Sequence, residues 1–187
     1  TNPKIIDYAN SDLRSDFMDV YLGAKCSFCV STGYGFDEVP YVFGKPIAFL
    51  VLPIGELRTH SEKFLLTTKH HVLKKERRKL SFSEIFSHGL AYAFDNKIYE
   101  KKGIELIDYK PEEIKDFIIE MSDRLVSKKE LSSEDEKLQK IFKRLFKSNL
   151  ENLNLEEKNR NPYHKAHGEI RSYFSSKFLR ENKDWLR

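Results

Sequence analysis

The chain has 187 residues, of which 40% are hydrophobic and 33% are charged, and its formal net charge is +4. This length and composition are typical of one globular domain with a sizeable core, and no apolar run approaches the roughly 20 residues of a membrane span. With only 2 cysteines a disulfide framework is excluded, and no signal peptide is visible. The cytoplasm is therefore the expected compartment, with membrane association left open. The chain begins at Thr1 rather than Met, which is compatible with a fragment or a processed form.

A first helix is predicted to begin after Ser15, a good N-cap residue. Asp16 and Asp19 follow in the first turn, where negative charge is favoured by the helix dipole. The expected apolar face of this helix consists of Phe17, Val20, Tyr21 and Ala24.

Arg14 lies just outside this helix start. A guanidinium group in that place can grip a phosphate or a carboxylate through two parallel hydrogen bonds. An ion pair with Asp12 or Asp16 is the equally open alternative.

Residues 26–51 form the stretch around which the prediction is organised. A short β-prone run at 28–31, about two helical turns at 37–43 and an apolar run at 46–51 predict one βαβ unit. The crossover of such a unit is right-handed in nearly all cases. The turn after its first strand therefore lies at the carboxyl edge of the sheet, where open α/β sheets bind ligands.

That turn is a candidate phosphate site, formed by Ser31, Thr32, Gly33, Tyr34 and Gly35. Backbone N–H groups beside a helix start suit a phosphate, although the pattern is neither G-x-G-x-x-G nor a Walker loop. An ordinary glycine-bearing turn is the alternative. The carboxylates of Asp37 and Glu38 would repel a phosphate, so sugar or ribose hydroxyls are their expected partners.

Cys26 and Cys29 have a C-x-x-C spacing without the context of a redox or zinc motif. They lie in or beside a strand rather than at a helix start, and no second pair exists for zinc. We interpret both as ordinary residues in or near the core.

Residues 54–80 are predicted to be mostly loop, with a short β piece within 63–73. The basic residues of the chain concentrate here, and Lys69 and Lys74 are candidates for contact with an anionic ligand. Because no stacking aromatics alternate with these charges, a solvated face is favoured over nucleic-acid binding. His70 and His71 are adjacent, which predicts solvated or capping histidines rather than a shared metal site.

The remaining pattern predicts a strand at 104–108 between helices. Ser81 with Glu84 forms a capping box, so Glu84 is interpreted as structural. Further helices are predicted from Pro111, from about residue 133, and over about 168–182. Trp185 is expected to dock the end of the chain.

Strands alternating with helices, followed by a helical tail, predict an α/β fold with a Rossmann-like parallel sheet flanked by helices. We divide the chain into a Rossmann-like domain at 1–130 and a helical tail at 131–187. The tail has more apolar surface than a small sheet needs, which indicates a partner domain or a second subunit.

The sequence resembles a family of bacterial glycosyltransferases encoded in surface-polysaccharide gene clusters. The resemblance covers nearly the whole chain, from about residue 5 to residue 186. It rests on segments such as RSDFMDVYL at 14–22, STG at 31–33, VP at 39–40, KP at 45–46, SEI at 83–85, GIE at 103–105, PEEI at 111–114, EDE at 134–136, HGEIR at 167–171, FLREN at 178–182 and WL at 185–186.

The resemblance implies the carboxyl-terminal, donor-binding half of a two-domain GT-B enzyme, with nucleotide-sugar binding by the domain at 1–130. Carried over by position, Ser31, Thr32, Gly33, Tyr34 and Gly35 would hold the diphosphate of a nucleotide-sugar donor. Arg14 would neutralise the charge of the diphosphate, and Asp37 or Glu38 would accept hydrogen bonds from hydroxyls of the nucleotide-sugar donor. Lys69 and Lys74 would close over the diphosphate.

The same resemblance implies that no metal or cofactor is needed, because backbone amides and basic side chains stabilise the leaving phosphate. The amino-terminal domain, which supplies the acceptor site and often the catalytic base, does not match any part of this chain. No base is therefore assigned; Glu84, His88 and His167 are candidates by residue type alone. This half is expected to bind donor weakly and not to transfer sugar by itself.

Two other functions remain open at this stage. One is a non-catalytic α/β module that uses its basic loop and tail helices to contact a partner. The other is a nucleotide-sugar epimerase of the same two-domain fold.

Overall fold

The fold is known from a computed structural model, which describes residues 2–33, 35–127, 130–153 and 168–187. The strands are β1 (Cys29–Ser31), β2 (Ile47–Leu50), β3 (Phe64–Thr67), β4 (His70–Leu73), β5 (Arg78–Lys79), β6 (Ile104–Ile107) and β7 (Tyr173–Phe174). The helices are α1 (Asp16–Lys25), α2 (Glu38–Val42), α3 (Phe82–Ser87), α4 (Asn96–Lys101), α5 (Pro111–Ser127), α6 (Ser133–Glu151) and α7 (Ser176–Glu181).

The larger sheet has 4 strands in the order β1-β2-β3-β7, and all of its pairs are parallel. The chain is thus an α/β protein whose parallel sheet is flanked by helices, consistent with a Rossmann-like fold. The predicted βαβ unit is confirmed: Cys29 pairs with Ile47 and Ser31 with Phe49, with α2 between the strands.

Alternating side chains of β2 and β3 fill two separate cores. Ile47, Phe49 and Leu66 join the main cluster on one face, whereas Ala48 and Leu65 pack with α5 on the other. Burial on both faces explains why these strands read as unbroken apolar runs.

The predicted N-cap of α1 is confirmed, because the Ser15 hydroxyl accepts a hydrogen bond from Met18 N at 3.2 Å. The predicted apolar face, however, is not buried: Phe17 is 72% exposed. The buried residue of α1 is Gly23, where a Cβ atom would lie 2.6 Å from Val39 Cγ1. The absent side chain lets the helix approach α2 at this point.

The smaller sheet is antiparallel, with the order β5-β4-β6. The strand predicted at 104–108 exists as β6, but it pairs with β4 rather than joining the parallel sheet. The short β piece predicted within 63–73 is confirmed as two strands, β3 and β4, and most of the rest of 54–80 is loop or turn, but β5 was not predicted. These strands are two to four residues long. Strands β4 and β5 pair with each other, but β3 pairs with β2 and β7, and β4 also pairs with β6, so local periodicity records little of this arrangement.

The carboxyl-terminal region differs from the single helix predicted at 168–182. Tyr173 and Phe174 form β7 beside β3, and the Ser175 hydroxyl caps α7 by accepting from Phe178 N. Trp185 is 4% exposed and packs among phenylalanine rings, as expected for a docking residue. The region at 131–187 therefore contributes a strand to the sheet as well as helices. Helix α4 has no counterpart in the sequence prediction.

Within the ranges described above, none of the helices combines the length and the apolar character that crossing a bilayer would require.

Candidate functional site

The carboxyl ends of all four parallel strands meet at one edge of the sheet. Open α/β sheets bind ligands in the crevice outside these ends. Two places on this edge are candidates for a ligand site: the glycine turn after β1, and a groove beyond β2, β3 and β7.

The glycine turn has the backbone geometry that only glycine adopts easily. Gly33 has φ +86° and Gly35 has φ +107°. Two of the N–H groups of this turn are satisfied within the chain: Gly33 N donates to Ser31 Oγ at 2.9 Å, and Gly35 N donates to Asp37 Oδ1 at 3.1 Å. Thr32 is exposed, and Tyr34 lies outside the described residues. A phosphate at this turn would compete with these two side-chain acceptors.

Asp37 and Glu38 both face Arg58, a residue that sequence reasoning does not single out. The Arg58 guanidinium forms an ion pair with Glu38, and its Nη2 lies 3.7 Å from Asp37 Oδ2. Asp37 is 1% exposed. The hydrogen bond to Glu38, together with the charge of Asp37, raises the pKa of Arg58, so the guanidinium remains charged. A sugar or ribose hydroxyl of the nucleotide-sugar donor would therefore meet two carboxylates that already have a cationic partner.

The basic residues that were predicted to contact the nucleotide-sugar donor lie in different parts of the fold. Arg14 is exposed and lies directly before the Ser15 cap. Lys69 follows β3 and forms an ion pair with Asp108, which follows β6. Lys74 lies beyond the smaller sheet, where its backbone N donates to Gly103 O at 2.9 Å. Of the predicted basic contacts, Lys69 is thus the one placed just beyond a parallel strand.

The groove beyond β2, β3 and β7 has a volume of about 230 Å³. Leu50, Phe117 and Phe178 give it apolar walls, and Thr67 and Thr68 mark the end of β3. Residues 107–110 at the end of β6 and just after it, together with residues of α5 and α7, complete its lining. The parallel sheet, the smaller sheet and two helices therefore meet around this cavity.

His70 and Lys79 form the polar contact at one end of the groove. Lys79 Nζ lies 3.1 Å from His70 Nε2 and 3.2 Å from Asn182 Oδ1. Burial, and then the charge of Lys79, lower the pKa of His70 to about 4, so its imidazole is neutral near pH 7. With the ammonium group donating to Nε2, the neutral ring carries its proton on Nδ1. Among the described residues, that buried Nδ1 and the buried hydroxyl of Thr68 have no hydrogen-bond partner.

The carboxylates near the groove have partners of their own. Asp116 and Glu181 pair with Lys177, and Glu113 Oε2 accepts from Lys110 N at 2.6 Å. Glu113 faces His70 closely enough to favour the charged imidazole slightly. The groove lining contains the carboxylates of Asp108, Glu113, Asp116 and Glu181 against the lysines Lys79, Lys110 and Lys177, so negative charge slightly exceeds positive charge, whereas the His70–Lys79 contact offers hydrogen-bond donors.

The prediction that the adjacent histidines are solvated or capping is wrong. His71 is 1% exposed, with Nδ1 lying 3.2 Å from Lys69 O and its ring beside that of Tyr99. His70 stacks on Phe178 with ring centroids 5.0 Å apart. Both residues belong to β4, whose pairing with β6 and β5 encloses them.

Burial of His71 predicts a loss of stability in mild acid. Desolvation lowers the pKa of His71 from 6.5 to about 4 in the folded state, so the unfolded chain binds the proton more readily. The stability of the folded chain is not reduced by His71 above pH 6.5, and it falls as the pH drops from 6.5 toward about 4, because the unfolded chain then binds the proton. By linkage the loss from this residue is about 2 kcal/mol by pH 5.

Chemical denaturation of the parent and of His71→Asn at pH 7 and pH 5 checks this effect. Asparagine keeps a donor near Lys69 O but does not titrate. The variant should lose about 2 kcal/mol less than the parent between the two pH values. Equal losses in both proteins would contradict the assignment to His71.

Two of the candidates for a catalytic base, Glu84 and His88, are not among the residues that line this groove. Glu84 completes the predicted capping box with Ser81 and pairs with Arg78, whose hydrogen bonds lower the pKa of Glu84 to about 2. This confirms a structural role for Glu84. His88 ends α3, and His167 lies outside the described residues.

Cys26 and Cys29 form no disulfide and are partly buried, and burial raises the pKa of the Cys29 thiol to about 11.

No family model, curated protein or solved structure matches this chain. In the part of the chain that the structure describes, no group of three or more histidine, cysteine, aspartate or glutamate side chains is arranged to hold a metal ion.

Sequence reasoning missed the groove because its polar residues come from separate elements. Thr68, His70 and Lys79 belong to the segment predicted to be mostly loop with a short β piece, and Asn182 belongs to the tail. One usable signal was present: the run FLLTT at 64–68 is apolar and β-prone, like the run at 46–51.

Proposed function

We propose that this chain is the donor-binding half of a nucleotide-sugar-dependent glycosyltransferase of the GT-B type, acting in surface-polysaccharide synthesis. The observation that carries the proposal is the parallel sheet with its glycine turn and groove on one carboxyl edge. That edge is where this class of sheet binds nucleotides. The proposed reaction class rests on the sequence resemblance, and the sheet edge supports the proposal because a donor would be expected to bind there.

In this proposal the chain binds and orients the donor and stabilises the leaving diphosphate. Main-chain N–H groups of the glycine turn and nearby basic side chains supply the favourable charge. Donor binding would move Ser31 Oγ and Asp37 Oδ1 away from the N–H groups whose hydrogen bonds they now accept. The acceptor site and the catalytic base belong to a second domain facing this edge.

Thermal-shift and calorimetric screening against UDP, GDP, CMP, dTDP and their sugars tests the proposal. We expect one nucleotide to raise the melting temperature, and we expect Gly33→Val to abolish that rise. The valine side chain disfavours φ +86° and would fill the turn that is proposed to contact phosphate.

Gly103→Val is the matched control for this experiment. Gly103 has φ +65°, and a Cβ atom at this position would have nothing within 4 Å, so the substitution imposes similar backbone strain away from the turn. It should lower stability without changing the nucleotide response. If no nucleotide stabilises the folded parent, or if both variants lose the response equally, the turn is not the donor site.

A further inference from the structure

Three residues that line the groove beyond β2, β3 and β7, namely Thr68, His70 and Lys79, can donate hydrogen bonds. Lys79 is the cation there, and its described contacts are the neutral His70 ring and the Asn182 side-chain oxygen rather than a carboxylate. A lysine without an acidic partner, beside a cavity with some apolar walls, attracts an anionic group.

Two buried donors reinforce this end. Thr68 is 0% exposed, and neither its hydroxyl nor His70 Nδ1 has a partner among the described residues. Buried polar groups in folded proteins nearly always have a partner, and leaving one without costs free energy. A ligand bearing acceptor oxygens would supply what these groups lack.

We propose that this groove binds a compact organic molecule through an oxyanion, a phosphate or a carboxylate, held by Lys79, His70 and Thr68. The volume of about 230 Å³ admits a group of that kind on a small carrier, which Leu50, Phe117 and Phe178 would contact. Glu113 opposes the anion from α5, and Asp108, Asp116 and Glu181 also line the groove, so affinity for an isolated ion is weak. The inference concerns this groove alone and holds whether or not the glycine turn binds a donor.

The test is an NMR titration of amide resonances in the folded chain with sodium phosphate, sodium malonate and sodium chloride at matched ionic strength. Phosphate or malonate should shift the signals of Thr68, His70 and Lys79 and saturate, whereas chloride should not. A response to phosphate alone assigns a phosphate ligand, and a response to malonate alone assigns a carboxylate.

Three variants decide whether the described groups are responsible. Lys79→Gln should weaken binding about tenfold, as expected for a lost charged hydrogen bond. Thr68→Val should also weaken binding, yet keep a melting temperature at or above that of the parent, because it removes a buried hydroxyl without a partner. Glu113→Gln should strengthen binding, since it removes the opposing charge while keeping an oxygen for Lys110 N.

The control variant is Lys147→Gln, an exposed lysine on α6 outside the groove, which should bind like the parent. The proposal is overturned if neither anion shifts the groove signals beyond chloride, or if Lys79→Gln binds as the parent does. Gly33→Val should leave the titration unchanged, so a failure of the donor proposal and a failure of this one are distinguishable.

Discussion

Replacing Phe142 with alanine should lower the free energy of unfolding by about 3–5 kcal/mol, the usual cost of truncating a fully buried phenylalanine. Phe142 is 0% exposed and lies among aromatic rings of α3, α6, β7 and the chain end. Its ring centroid is 5.8 Å from that of Phe82, 4.8 Å from Phe174 and 6.4 Å from Trp185. The cavity left by Phe142→Ala would thus lie where four segments pack together, and none of them has much freedom to move into it.

Urea denaturation of Phe142→Ala, Phe142→Leu and the parent measures this cost. Leucine fills much of the cavity, so its variant should be the milder of the two and should remain folded if the alanine variant does not. Phe94→Ala is the control, because Phe94 is 72% exposed and its loss should change stability by no more than about 0.5 kcal/mol. Similar midpoints for Phe142→Ala and Phe94→Ala would contradict the described core.

Gln139→Leu should cost about 2–4 kcal/mol, because one side chain satisfies two buried backbone groups. Gln139 is 3% exposed; its Nε2 donates to Phe174 O at 2.6 Å, and its Oε1 accepts from Phe174 N at 3.0 Å. The amide thus acts as a substitute for a further strand beside β7. Leucine has a similar size but leaves both groups of Phe174 without a partner.

Hydrogen exchange distinguishes this mechanism from a general loss of packing. The Phe174 amide should exchange markedly faster in Gln139→Leu, beyond what the fall in global stability explains. Lys140→Leu, at the next and exposed position of α6, should leave both stability and Phe174 exchange near the parent values. Unchanged protection of Phe174 in Gln139→Leu would show that this side chain does not hold β7.

The parts of the fold that could be predicted are those specified by neighbouring residues. The Ser15 and Ser81 caps and the helix from Pro111 depend on contacts within a few positions of the chain. The βαβ unit pairs two strands that follow each other in the chain and are separated by one short helix. Strand β7 could not be predicted, because residues 168–182 have helical spacing and the strand is defined by β3 and Gln139. Tertiary pairing overrode the local preference.

In the candidate site, too, the features specified by neighbouring residues could be predicted and those set by distant residues could not. The glycine turn was visible as a turn, and its position at the sheet edge followed from the βαβ unit. That Asp37 and Glu38 face Arg58 could not be inferred, since Arg58 follows β2 after a further segment of chain. The groove depends on His70, Lys79 and Asn182 coming together from two regions, which no local pattern records.

The late position of β7 has a consequence for how this protein is made. Strands β1, β2 and β3 are all synthesised by residue 67, but their sheet must wait for residues 173–174 before β3 gains its second neighbour. Pairings between distant parts of a chain form slowly, and an uncovered strand edge invites association with other chains. During synthesis, the apolar β3 edge should therefore be a preferred place for a chaperone to bind until β7 covers it.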